Sequence, residues 1–164
     1  MILGLSLVQF TFLHVFLSLV GIATGIFIIF GLLNSLRLRI LTALFFVTTS
    51  LTSVTGFFYP FHGVTPGIVL GVLSLIVLAI AVVALYVKGL AGIWRATYVV
   101  SVCVAFYFNF FVLVAQAFQK IPELHGLAPS QASPGFAVAQ GVVFLVFLLL
   151  TIRAVKKFHP ALGY

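Results

Sequence analysis

His14 and Ser18 stand four residues apart in a run otherwise built mainly from Leu, Val, Ile and Phe, and Asn109 and Gln116 stand seven apart in another. On a helix, both spacings put the pair on one face. The stripe that begins at His14 continues through Gly21 and Gly25, a GxxxG pair whose small size lets a neighbouring backbone come close, so His14 is expected to face protein rather than lipid. A third polar group lies in TTSLTSVTG, residues 48–56, where six hydroxyls occupy nine positions. Thr48, Thr52 and Thr55 form one stripe, and Thr49 with Ser53 an adjacent one. Hydroxyls on apolar helices bond back to their own carbonyls, and Asn or Gln tie helices together, so packing competes with ligand binding as the use of these groups. An ionisable residue inside a membrane is a site hypothesis by default, and neutral imidazole is far cheaper to bury than an ammonium.

Catalysis by these groups would need an acid that the chain does not supply. Glu123 is the single acidic residue. Paired-carboxylate hydrolysis, a Ser-His-Asp triad and carboxylate-based proton coupling are therefore excluded, and a non-enzyme is expected. His14, His62 and His125 are weak metal candidates, since neutral imidazole suits Zn, Cu or Fe, but no HxxH, HExxH or CxxC spacing accompanies them. Haem held inside a bilayer by two histidines would find only His14 there. Cys103 lies in an apolar stretch and reads as a buried free thiol.

The elements that must position these groups are membrane helices. Of 164 residues, 64% are hydrophobic and 5% charged, against roughly 25% charged in soluble domains. Apolar runs separated by breakers give an all-α, single-domain chain of five transmembrane helices at about 8–33, 39–58, 66–87, 94–118 and 134–154. The first run lacks a basic leader and exceeds the length of a signal-peptide core, so it reads as a retained helix. Thr65-Pro66 and Ser133-Pro134 each place a capping hydroxyl before a proline at the first helical position.

The net charge of +7 does not form a patch for nucleic acid; the cations fall in short clusters between apolar runs. Arg37, Arg39, Lys88, Arg95, Arg153, Lys156 and Lys157 fall on one side of the membrane and Lys120 alone on the other, which predicts an outside N-terminus and a cytoplasmic C-terminus. Tyr59, Tyr86, Trp94 and Tyr98 are expected at the interfaces. Counting from the outer helix ends at 1.5 Å per residue puts Gln116 about 3 Å deep, Ser53 about 7 Å, Gln140 about 8 Å, His14 about 9 Å, and Thr49 and Asn109 about 13 Å. The inner half reads as almost purely aliphatic.

The ligand-binding residues expected from this reading are His14, Thr49, Ser53, Tyr107, Asn109, Gln116 and Gln140. Phe106, Tyr107, Phe108, Phe110 and Phe111 around Asn109 would add an apolar slot for a quinone or lipid headgroup. The expected role is that of a ligand-binding or accessory subunit; a component binding haem or quinone, and a small channel or transporter for an uncharged substrate, are the alternatives. Beyond the lipid bilayer, a partner membrane protein or a second copy is a possible neighbour, with Gly67 and Gly71 offering a close-packing face. LHVFLSLVGIATG, TTSLTSVTGFFYPF, LAGIWRATYVVSVCVAFYFNFFVLVAQAF and LAPSQASPGF together make the chain resemble a group of small bacterial integral membrane proteins that carry no assigned function. The resemblance covers most of the chain and implies a bacterial inner-membrane location, without an activity.

Overall fold

In a computed structural model of the chain, residues 2–60, 63 and 65–160 are described. The order is α1 (Leu7–Leu33), α2 (Arg39–Gly56), α3 (Pro66–Val82, continued by a π-helical turn, Val83–Val87), α4 (Ile93–Lys120), the short α5 (Pro122–Leu127) and α6 (Pro134–Lys157). All but α5 are long and apolar enough to cross a membrane. Exposed Phe12, Ile40, Val138 and Leu149 show apolar surface facing outward, as lipid-embedded helices require.

Local chemistry explains most of the boundaries. Ser6 Oγ accepts from the Gln9 amide at 3.2 Å and Gln9 Oε1 from the Ser6 amide at 3.0 Å, a capping box that the hydropathy pattern does not reveal. Thr65 caps α3 as expected, its hydroxyl accepting from Ile68 N at 3.3 Å. Ser133 does not cap α6: its Oγ accepts from Ser130 N at 3.1 Å instead, and Pro134 alone sets the start. The hydropathy pattern also gives no sign of α5, which begins at Pro122 directly after the extended Ile121. At its other end α1 closes with Ser35 at φ 59° and Leu36 N bonded to Gly31 O at 2.8 Å, a Schellman turn.

Successive spans run antiparallel, so one end of the bundle gathers residues 34–38, residues 88–92 and the tail after Lys157. This basic end carries seven of the eight Lys and Arg residues. The opposite end holds the starts of α1, α3 and α6 together with α5. Consecutive pairs pack closely, α4 contacts α1, α3 and α6, and α1 also touches α6.

The packed core lies toward the basic end, and it is aromatic as well as aliphatic. Phe106 stands edge-on to Phe45 at 6.4 Å and to Phe147 at 5.1 Å, above Val99, Val102 and the buried Cys103. Tyr98, expected at an interface, is instead 4% exposed and stacks on Phe158 of the tail at 5.8 Å. Arg95 holds that tail by donating to Val155 O at 2.9 Å and Phe158 O at 2.6 Å. Gly71, read as a docking face for a partner, is occupied within the chain: a Cβ there would lie 3.0 Å from the Phe57 ring.

Candidate functional site

Gly21 and Gly25 set the geometry. A Cβ on Gly25 would lie 2.5 Å from the Phe106 ring, whereas one on Gly21 would lie 2.9 Å from Asn109 Nδ2 and 3.0 Å from Thr49 Oγ1. One turn of α1 therefore marks the change from an aromatic core to a polar centre. On the same stripe, His14 Nδ1 lies 2.8 Å from Thr55 Oγ1, and Ser18 Oγ donates to Asn109 Oδ1 at 3.0 Å. The stripe faces α2 and α4.

The hydroxyl row has a double use. Thr48, Thr52, Ser53 and Thr55 donate to Leu44 O, Thr48 O, Thr49 O and Leu51 O of their own helix, at 2.7–3.0 Å. With the Thr55 proton on Leu51 O, its oxygen is left to accept from His14 Nδ1–H, which is the tautomer that this pairing favours. A neutral His14 then keeps Nε2 as an acceptor. Thr49 breaks the pattern: its Oγ1 and the Nδ2 of Asn109 are buried and have no hydrogen-bond partner among the described residues. Each such group costs about 1–3 kcal/mol when left unsatisfied, and both sit at Gly21.

These residues surround a cavity of about 300 Å³ among α1, α2, α3 and α4, whose lining includes His14, Ser18, Thr49, Ser53, Asn109 and Gln116. A second space, a groove of about 580 Å³ between α1 and α4, shares His14, Ser18, Tyr59, Val112 and Gln116 with it. The groove's other walls are mostly apolar, with Val15, Leu19, Leu113 and Ala117, and Lys120 at its end. Tyr59 stands edge-on to His14 at 5.5 Å and to Phe10 at 5.4 Å, at the rim where the two spaces meet.

Five of the seven residues expected to bind a ligand thus line one cavity, and two do not. Gln140 donates from Nε2 to Phe111 O at 3.0 Å across the α4–α6 seam, leaving its buried Oε1 without a partner among the described residues. Tyr107 packs on Phe144 at 5.9 Å and Phe147 at 5.6 Å in the same seam. The expected aromatic slot splits for the same reason. Tyr107, Phe110 and Phe111 pack toward α6, Phe106 fills the centre between Gly25 of α1, Phe45 of α2 and Phe147 of α6, and of the five only Phe108 lines the cavity with Asn109.

His125 is exposed on α5, and His62 lies outside the described residues. Among the described residues no three His, Cys, Asp or Glu side chains gather in a metal-binding group. Ser18, Tyr59 and the α1–α4 groove are the parts of the site that the expected set lacks. Ser18 is signalled by its i+4 spacing from His14, and the groove by Lys120, the one Lys or Arg at that end among the described residues. Set against known protein families, curated proteins and solved structures, the chain matches none of them.

Proposed function

We propose that this chain is a multi-pass protein of a bacterial inner membrane, its N-terminus outside and its C-terminus cytoplasmic, that binds a small uncharged amphipathic molecule in the α1–α4 cavity. It acts without catalytic machinery of its own, as a binding protein or as the accessory subunit of a membrane partner. The orientation is supported by seven cations at one end against Lys120 at the other.

The observation that carries the binding reading is the pair of buried polar atoms without partners among the described residues, Asn109 Nδ2 and Thr49 Oγ1, beside a cavity that is partly open. A molecule with an acceptor for Asn109 and Thr49, a donor for His14 Nε2 and an apolar part for the α1–α4 groove would satisfy all of them. A quinone in its reduced form, whose hydroxyls both donate and accept, is one such molecule and would make the protein a redox-linked component. The transport reading is less well supported, because Phe106 packs under Gly25 between the cavity and the basic end.

Organic extraction of the purified protein followed by mass spectrometry tests the proposal. Wild-type protein should retain a stoichiometric neutral amphiphile, and Asn109→Leu should lose it with the fold intact. Equal recovery from both proteins, or nothing above bulk lipid in either, would sink the binding reading. An optical spectrum with a Soret band would replace quinone by haem. A reporter fused to the C-terminus that is active only outside the cytoplasm would reverse the orientation.

A further inference from the structure

The groove of about 580 Å³ begins where α1 and α4 part. The two helices touch at Gly25, under the Phe106 ring, at Gly21, beside Asn109, and at Ser18, whose hydroxyl donates to Asn109 Oδ1 at 3.0 Å. Toward Lys120 they separate: His14 turns to Thr55 of α2, and Thr11 and Val15 face Gln116 and Ala117 across open space. We propose that this groove is a lateral portal and the seat of a tail. The molecule bound in the cavity is then a single-tailed amphiphile of the membrane itself, whose polar head passes between α1 and α4 to Asn109 and Thr49 while its tail stays in the groove. This rests on the binding reading above and adds to it the ligand's class and its route.

Shape supports a tail. One wall of the groove is Thr11, Val15 and Leu19 of α1, and the other is Leu113, Ala117 and Ile121 of α4, each set spaced i, i+4, i+8 along one helix face. At 1.5 Å per residue these stripes run for about 12 Å. A straight channel between two helices has the form of one extended chain.

Chemistry is graded along that channel. Val15, Leu19, Val112 and Leu113 make the part near Ser18 apolar, whereas Thr11, Gln116 and Lys120 make the far end polar. Val15 is 39% exposed and Leu19 50%, so the groove is open on its lipid side. A tail lying there exchanges one apolar surrounding for another, while the head gains Asn109 Nδ2 and Thr49 Oγ1, buried atoms that have no other partner among the described residues. The route along the bundle from the basic end is filled by Phe106 packed on Phe45 and Phe147. A molecule arriving sideways keeps its tail out of water throughout.

The test uses the full chain in phosphatidylcholine nanodiscs, with a monoacylglycerol brominated along its acyl chain as the probe, because bromine quenches a tryptophan that it touches. The glycerol hydroxyls donate and accept, as His14, Asn109 and Thr49 require. Leu19→Trp places a reporter in the groove and Val142→Trp one on an exposed face of α6 away from both spaces, with Trp94 as the common background. Quenching at Leu19→Trp should saturate, at a probe mole fraction about tenfold below that needed for the same quenching at Val142→Trp. Ala117→Phe, which fills the groove without touching the lining of the cavity, should abolish the saturating part, and so should Asn109→Leu. If Asn109→Leu does not fold, Thr49→Val should weaken the saturating part in its place. Quenching in simple proportion to the probe at both reporters, or a saturating part that survives Ala117→Phe, would overturn the portal. Loss of the co-purified amphiphile in Asn109→Leu would then still uphold the cavity as a binding site, so the two readings fail separately. A saturating part abolished by Ala117→Phe but untouched by Asn109→Leu and Thr49→Val would overturn the link between groove and cavity.

Discussion

The two halves of this bundle use the same glycine stripe to opposite ends. At Gly25 the space left by the missing side chain is filled by the Phe106 ring, and around it the chain packs aromatic and aliphatic groups to near-complete burial. At Gly21, one turn away, the neighbours are two polar atoms without partners and a cavity. Lipid supplies no hydrophobic drive for helices to associate, so packing and interhelical hydrogen bonds must hold a membrane fold together. The basic half supplies the packing. The other half leaves polar groups unsatisfied and so accepts a cost that a ligand can offset.

The sharpest way to break this contrast is Phe106→Ala. Removing a ring that is 4% exposed should cost about 3–5 kcal/mol, through lost contacts and a residual cavity. It should also open the polar cavity toward the basic end. Unfolding in mixed micelles measures the first effect, and permeation of a small neutral solute into liposomes the second. A cost below about 1 kcal/mol would mean that the aromatic centre is not what holds the basic half together.

The same substitution made at the two glycines sharpens the comparison. Gly25→Ala drives a Cβ into the face of a packed ring and should cost about 1–3 kcal/mol. Gly21→Ala meets the ends of two side chains beside open space, so they can yield, and it should cost less than about 1 kcal/mol while narrowing the cavity. Equal costs would show that the polar half is packed as tightly as the other.

Much of this contrast is legible in the sequence, because it rests on periodicity. The i, i+4, i+7, i+11 spacing from His14 to Gly25 names the face of α1 that meets protein, and five apolar runs fix the helices to within a few residues. What periodicity along one helix cannot carry is which neighbour each face meets. Tyr107 and Gln140 are polar and at suitable depth, yet they belong to the α4–α6 seam, because α6 packs on the side of α4 away from Asn109. Tyr98 has the composition of an interfacial residue and is covered by a tail whose path depends on Arg95. Ser133 has the sequence of a cap and spends its hydroxyl on Ser130.

A smaller effect of opposite sign is expected at Thr49. Thr49 is 2% exposed and its buried hydroxyl has no partner among the described residues, so Thr49→Val removes a polar group that the empty protein holds at a loss. The variant should be more stable by about 1 kcal/mol without ligand and retain less of the co-purifying molecule. A destabilised variant would show that the hydroxyl has a structural partner, and the ligand argument would then rest on Asn109 alone.

The smallest effect lies at His14 and tests how softly the polar half is held. Interhelical side-chain bonds in membranes average about 0.6 kcal/mol, so a double-mutant cycle of His14→Leu with Thr55→Val should give coupling near that value. The chemistry of the bond gives a more discriminating readout. With the Thr55 proton on Leu51 O at 2.7 Å, the imidazole donates from Nδ1 and leaves Nε2 lone-paired for a ligand. Imidazole ¹⁵N shifts of labelled protein should therefore report one tautomer, with Nδ1 protonated, for His14. Thr55→Val should release it into a mixture while stability barely moves. A wild-type signal with Nε2 protonated would reverse the polarity of the site: His14 would then present a donor to the cavity, and the molecule that fits would have to offer acceptors to His14, Asn109 and Thr49 alike.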